Sequence, residues 1–77
     1  MKLKVKLVSI FAKYGKADED GFTRIDEPAT IRDVAEYLEL PIERVRIITV
    51  NGRQGDLQTP LCDNDEVYIF PPAIGGG

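Results

Sequence analysis

Apolar and charged residues alternate from the second position of the chain. Leu3, Val5 and Leu7 occupy every second position, and lysines separate them. A period of two is typical of a strand with one buried face. Apolar residues then occupy both faces, so we predict that this strand continues to about Phe11 as a central strand. The lysines, which we expect on a solvated face, are Lys2, Lys4 and Lys6.

The middle of the chain has the pattern of one amphipathic helix. Thr30 and Asp33 have the spacing of a capping box, in which each side chain accepts a hydrogen bond from a free N–H of the first turn. Pro41 disfavours helical geometry at Leu40, so we predict that the helix ends there. The apolar stripe of this helix consists of Ile31, Val34, Ala35 and Leu38.

The remaining apolar runs predict further strands. Asn51-Gly52 favours a type I′ hairpin turn between two of them. The order strand, strand, helix, strand, short strand, strand predicts an α+β domain of the β-grasp, or ubiquitin-like, type. It has a mixed sheet of four to five strands, with one main helix across one face. The additional strands are predicted at residues 22–26, at a buried run 45–50, near Arg53 and at residues 67–70.

Length and charge restrict the function. A chain of 77 residues forms one domain with a modest core, so we expect activity at an edge, a surface or a terminus. The net charge of −3 argues against binding to nucleic acid. No run approaches a membrane span, no signal peptide is recognisable and Cys62 is the single cysteine. We therefore expect no membrane association, no disulfide and a cytoplasmic location.

No side chains form an obvious catalytic set. The chain has no histidine, and Cys62 is followed by Asp63 and Asp65 instead of the basic neighbours of a reactive thiol. We expect Cys62 to be a partly buried structural residue. Two acidic clusters lack the spacing of a calcium loop and are interpreted as turns, so no metal site is predicted. They are Asp18-Glu19-Asp20 and Asp63-Asn64-Asp65-Glu66.

The C-terminal segment differs from the rest of the chain. Two prolines and two small apolar residues precede three terminal glycines. A chain end that simply frays would instead be expected to contain scattered polar residues. We predict a β-grasp domain over residues 1–70 and a flexible Gly-Gly-type tail over 71–77. Fully extended, seven residues span roughly 23–25 Å. Glycines let a partner close a narrow channel around the backbone. After adenylation with ATP, the open terminal carboxylate is a candidate for conversion to a thiocarboxylate.

Motifs along the whole chain resemble the MoaD/ThiS family of sulfur-carrier proteins. The tail after Phe70 resembles the molybdopterin-synthase small subunit more than the thiamine-pathway carrier. Tyr14-Gly15 departs from the family pattern, and the family's terminal glycine aligns with Gly76, which leaves Gly77 as an extra residue. The motifs that carry the resemblance are Phe11-Ala12, Thr30-Ile31-Arg32-Asp33-Val34, Val50-Asn51-Gly52, Asp63-Asn64-Asp65-Glu66-Val67 and Phe70-Pro71-Pro72-Ala73-Ile74-Gly75-Gly76.

The resemblance implies a carrier that is not itself an enzyme and binds no cofactor. An adenylyltransferase related to ubiquitin-activating enzymes would use ATP to activate the tail, and a sulfurtransferase would supply sulfur. The large subunit of molybdopterin synthase would then receive the tail. Thiamine thiazole synthesis and conjugation to lysines as a ubiquitin-like modifier remain the alternatives.

The tail supplies the candidate site residues. The reactive group is the carboxylate of Gly77, or of Gly76 if Gly77 is trimmed. Gly75, Gly76, Pro71 and Pro72 are predicted to thread into the partner. Phe70 is predicted to dock the partner, and the alternative is that it packs inside its own domain.

Overall fold

The computed structural model describes residues 1–71 and contains a five-stranded mixed sheet with the order β2-β1-β5-β3-β4. Strands β1 and β5 are parallel, whereas the other neighbours are antiparallel. One α-helix, α1, is present among these residues and spans Ile31–Tyr37. The predicted α+β architecture is therefore confirmed. The strands are β1 (Lys2–Leu7), β2 (Thr23–Arg24), β3 (Ile47–Val50), β4 (Arg53–Gly55) and β5 (Glu66–Phe70).

Strand β1 is shorter than predicted. It ends at Leu7, and a 3-10 helix follows over Ser9–Tyr14. Phe11 is fully buried in this helix, and its ring meets that of Tyr14 edge-on at 6.4 Å. The prediction of a strand to Phe11 was wrong because a short apolar run has no period that separates a strand from a helical turn.

The sheet has one covered face and one open face. Leu3, Val67 and Ile69 are fully buried on the covered face, which packs against α1. The alternate positions of β1 hold the lysines: Lys4 and Lys6 are exposed, and Lys2 is half-buried with its ammonium 4.9 Å from the centre of the Phe22 ring. The prediction of a solvated lysine face is confirmed.

The start of α1 has the predicted capping box. The Thr30 N–H donates to Asp33 Oδ2 at 2.8 Å, and the Asp33 N–H donates to Thr30 Oγ1 at 3.5 Å. The stripe is buried as predicted, since Ile31, Val34 and Leu38 are at most 1% exposed. This stripe attaches the helix to the covered face of the sheet.

Helix α1 ends at Tyr37, before the predicted end at Leu40. Glu39 adopts a left-handed conformation with φ of 60°. Its N–H donates to the Glu36 carbonyl at 3.0 Å, and the Leu40 N–H donates to the Ala35 carbonyl at 2.9 Å. These two bonds form a Schellman motif, which reverses the chain before Pro41 is reached.

The β3–β4 hairpin has the predicted turn. Asn51 and Gly52 have φ of 53° and 84°, as a type I′ turn requires. Strand β3 is shorter than the predicted run 45–50. It is also not buried throughout, since Ile47 is 48% exposed whereas Ile48 is 3% exposed. Its two faces alternate, and only one of them contacts the core. Strand β2 is likewise shorter than the predicted 22–26, and it is antiparallel to β1.

Candidate functional site

Three strands bring their ends together where the described chain stops. Because β1 and β5 are parallel, Leu7 and Phe70 lie at the same end of the sheet. Strand β3 is antiparallel to β5 and begins at that end, where Ile47 is the register partner of Phe70. We call this end of the sheet the tail end, and we call Phe70 with Pro71 the tail root.

Phe70 lies on the open face of the sheet. Its neighbours along β5 on the covered face, Val67 and Ile69, are fully buried, whereas Phe70 is only partly buried. Its ring stacks on that of Tyr68, with centroids 6.2 Å apart and an interplanar angle of 14°. Together with Ile47, these rings form an apolar surface that we call the open-face patch, consisting of Ile47, Tyr68 and Phe70.

The backbone at the tail root is fixed on the side of β3. The Phe70 carbonyl accepts a hydrogen bond from the Arg46 N–H at 3.2 Å. This contact extends the β3–β5 ladder to the last strand residue. The last residue of β5 therefore has a defined position at the open-face patch.

Cys62 is exposed, which contradicts the prediction of a partly buried cysteine. Leu61 occupies the core position instead, and Cys62 begins the turn that leads into β5. Its N–H donates to Asp65 Oδ2 at 2.8 Å. This carboxylate satisfies the backbone of the turn, which supports the interpretation of the acidic cluster as structural.

The other acidic cluster also forms a turn. Asp18 accepts hydrogen bonds from the N–H groups of Phe22 and Asp20, and Arg24 Nε lies 2.6 Å from its Oδ2. The bond from Phe22, followed by the bond from Arg24, lowers the pKa of Asp18 below its ordinary value. Within residues 1–71, no group of three potential metal-ligating His, Cys, Asp or Glu side chains is present.

Several predicted site residues lie outside the described residues. They include the tail-threading Pro72, Gly75 and Gly76, and the carboxylate of Gly77. Phe70 and Pro71 are described and form the tail root. Sequence reasoning missed Tyr68 and Ile47 as partners of Phe70. The period of two along β5 is a signal for Tyr68, whereas the position of Ile47 depends on the β3–β5 register.

No helix in the described part of the chain is long and apolar enough to cross a membrane. The longest regular helix there, α1, has seven residues.

Comparison with known proteins gives one family and two similar structures. Residues 8–76 match the model of the ThiS family. A putative molybdopterin converting factor subunit 1 from Pyrococcus furiosus is 31% identical and superposes with a TM-score of 0.68, covering 94% of this chain and 98% of that one. SAMP1 from Haloferax volcanii superposes with a TM-score of 0.70 at 20% identity, covering 99% of this chain and 100% of that one. The SAMP1 likeness concerns the fold alone, and both structures confirm the ubiquitin-like β-grasp fold. No curated protein sequence matches the chain significantly.

Proposed function

Because the chain belongs to the ThiS family, a family of small carrier proteins, we propose that it carries sulfur as a thiocarboxylate on its terminal glycine. The observation that carries this proposal is the extent of the family match. It runs from residue 8 to residue 76 and so includes Gly75 and Gly76 together with the part of the folded body that follows β1. The tail root lies at the open-face patch, and the exposed Lys6 on β1 is the register partner of Tyr68.

The proposed chemistry takes place at the terminal carboxylate in two steps. A carboxylate oxygen attacks the α-phosphate of ATP, which gives an acyl-adenylate and releases pyrophosphate. The sulfur of hydrosulfide then attacks the acyl carbon, the bond to AMP breaks, and AMP leaves with the electron pair. Loss of the proton from sulfur gives the thiocarboxylate. The adenylyltransferase and the sulfurtransferase supply the binding sites and proton transfers for these steps. This chain supplies the acyl group and the surfaces that position it.

The prolines and the glycines of the tail have separate roles in this scheme. Pro71 and Pro72 favour an extended exit from β5. Gly75 and Gly76 lack a Cβ and pass through a channel closed around bare backbone. The reactive carboxylate belongs to Gly77, or to Gly76 if Gly77 is removed first, and the family match ends at Gly76.

The open-face patch is the proposed docking surface. Phe70 and Tyr68 present a stacked aromatic pair beside Ile47, which is 48% exposed. Aromatic anchors of this kind often dominate the free energy of an interface. The patch adjoins the tail root, so a partner that binds it holds the tail at a fixed starting point.

We further propose that the sulfur enters molybdopterin, through the large subunit of the synthase. The Pyrococcus furiosus protein, putatively a molybdopterin converting factor subunit, supports this pathway because it is 31% identical over nearly the whole chain. Thiamine thiazole synthesis and conjugation to lysines use the same acyl-adenylate. They differ from molybdopterin synthesis in the molecule that finally receives the sulfur or, for conjugation, the acyl group. We place the reaction in the cytoplasm, where a reducing environment keeps Cys62 as a free thiol.

Reconstitution with purified partners tests the proposal. The adenylyltransferase, ATP and a sulfur donor should convert the full chain to a thiocarboxylate, which should then support pterin sulfuration by the large subunit. A chain that lacks residues 75–77 is the matched control and should accept neither AMP nor sulfur. Adenylation of this shortened chain would contradict the proposal. Deletion of Gly77 alone identifies the residue whose carboxylate is activated: improved sulfur loading indicates Gly76, and impaired loading indicates Gly77.

A further inference from the structure

A groove of about 320 Å³ lies between two short helical segments at the tail end of the sheet. One segment is the 3-10 helix Ser9–Tyr14, which follows the end of β1. The other is the 3-10 helix Ile42–Arg44, which precedes the start of β3. We call this feature the tail-end groove, and its lining residues are Ile10, Phe11, Lys13, Tyr14, Pro41 and Arg44.

The tail-end groove combines apolar surface with two cations. Ile10 is 42% exposed and is one of three large hydrophobic side chains that are exposed in the described part of the chain. Lys13 and Arg44 are exposed, and neither forms a salt bridge with any described residue. The Lys13 ammonium lies 5.5 Å from the centre of the Tyr14 ring. The lining contains no acidic residue.

These cations contrast with the charge of the chain as a whole. The net charge is −3, yet Arg46 adds a third exposed cation at the tail end, just before β3. Glu43 is the exposed acid next to Arg44. The acidic turn of Asp63 and Asp65 lies at the other end of the sheet, since it leads into the start of β5. An acidic partner is therefore attracted to the tail end of the carrier.

We propose that the tail-end groove docks an acidic segment of the enzyme that adenylates the tail. Arg44 and Lys13 contact carboxylates of that segment, and Ile10 contacts an apolar side chain. This inference rests on the proposed function and adds a second docking surface to the open-face patch.

The length of the tail supports this occupant. Six residues follow Pro71, and fully extended they reach about 20–22 Å. An enzyme that holds the terminal carboxylate in its active site must therefore cover the surface around the tail root. A carrier must also leave one enzyme for the next. Complementary charge speeds encounter without requiring a large apolar interface, which suits such exchange.

Two matched charge reversals test the inference. Arg44→Glu and Arg53→Glu give proteins of identical composition and charge, and both arginines are exposed. Arg53 pairs with Val50 at the hairpin end of β3, whereas Ile47, at the other end of β3, pairs with Phe70. Arg53 is therefore at the opposite end of the sheet from the tail-end groove. The assay is ATP–pyrophosphate exchange by the purified adenylating enzyme from the same organism, with the carrier varied at low and at high salt.

We expect Arg44→Glu to raise the KM for the carrier about tenfold or more at low salt, with kcat nearly unchanged. High salt should shrink this effect because it screens exposed charges. Arg53→Glu should behave as wild type under both conditions. Ile10→Ser should raise KM by an amount that salt does not reduce. Thermal unfolding of each variant verifies that it is folded. If either charge reversal is not, Arg44→Gln and Arg53→Gln, which change half the charge, replace the pair.

Equal KM values for Arg44→Glu and Arg53→Glu at low salt would overturn the inference and leave the proposed function intact. The inference would also be overturned if Arg44→Glu weakened binding to the synthase large subunit but not to the adenylating enzyme, because the occupant of the groove would then be a different enzyme. A wild-type chain that is not adenylated at all would overturn the proposed function, and this inference with it.

Discussion

At the end of α1, the φ angle of Glu39 decides whether glycine or alanine is the more stabilising substituent at that position. Glu39 has φ of 60° and lies at the position of the Schellman motif where glycine is usual. A side chain with a Cβ costs roughly 1–2 kcal/mol in this conformation. Glycine avoids that cost but loses about 0.4–1 kcal/mol through the greater freedom of its unfolded chain. Glu39→Gly should therefore be more stable than Glu39→Ala by about 0.5–1 kcal/mol.

Comparing glycine with alanine, instead of with glutamate, removes the ion pair from the result. Glu39 Oε2 lies 3.6 Å from Lys16 Nζ, and both substitutions delete this contact. The pair is well exposed, so its own contribution lies at the low end of about 0–1 kcal/mol.

Glu36 supplies the matched control. It is exposed within α1, where Glu36→Gly should be less stable than Glu36→Ala by about 0.5–1 kcal/mol. Both control variants lose the same contact with Arg32. Urea unfolding of the four variants measures both differences. If glycine is also the less stable substituent at position 39, the Schellman assignment is wrong.

Four further changes test the core, the patch and the tail. Leu38→Ala should lower the free energy of unfolding by about 2–5 kcal/mol because Leu38 is 1% exposed, and a loss under one kcal/mol would contradict its core position. Phe70→Ala should weaken binding to the large subunit while its urea unfolding shows a retained fold, and unchanged affinity would exclude Phe70 from the interface. Gly76→Ala should leave the thermal unfolding temperature unchanged yet slow sulfur loading by up to roughly a hundredfold, because small misplacements of reacting atoms are costly; a normal loading rate would show that the channel tolerates a Cβ. Cys62→Ser should still form the thiocarboxylate in the reconstituted assay, and loss of loading in a folded variant would make the thiol the sulfur carrier.

The sequence allowed prediction of features that local rules determine. The capping box at Thr30 and Asp33 and the turn at Asn51-Gly52 depend on residues close in the chain, and the structure has both. The β1 lysines and the buried stripe of α1 follow from periodicity alone. Each of these features was therefore readable without knowledge of the fold.

Features that depend on tertiary context were not predictable. The chain leaves β1 at Leu7 because Phe11 is buried in a 3-10 turn, which no local pattern specifies. The Schellman end at Glu39 uses a residue that has no special preference for positive φ. The open-face patch and the tail-end groove arise from the register of β3 and β5 and from the meeting of two separate 3-10 segments.

The central claim is that sulfur is carried on the C-terminal carboxylate. High-resolution mass spectrometry of protein isolated from its native cells tests this claim, provided that a C-terminal fragment cut after Glu66, which excludes Cys62, is measured separately. Separation is needed because oxidation of Met1 or Cys62 adds an oxygen, which has nearly the same mass as the exchange of oxygen for sulfur.

We expect the fragment that contains the tail to have one oxygen replaced by sulfur, and the remaining fragments to be unmodified. A tail that is always an unmodified carboxylate, with sulfur found on Cys62 or nowhere, would contradict it. A tail joined to lysines of other proteins, with no thiocarboxylate present, would assign the chain to the modifiers instead.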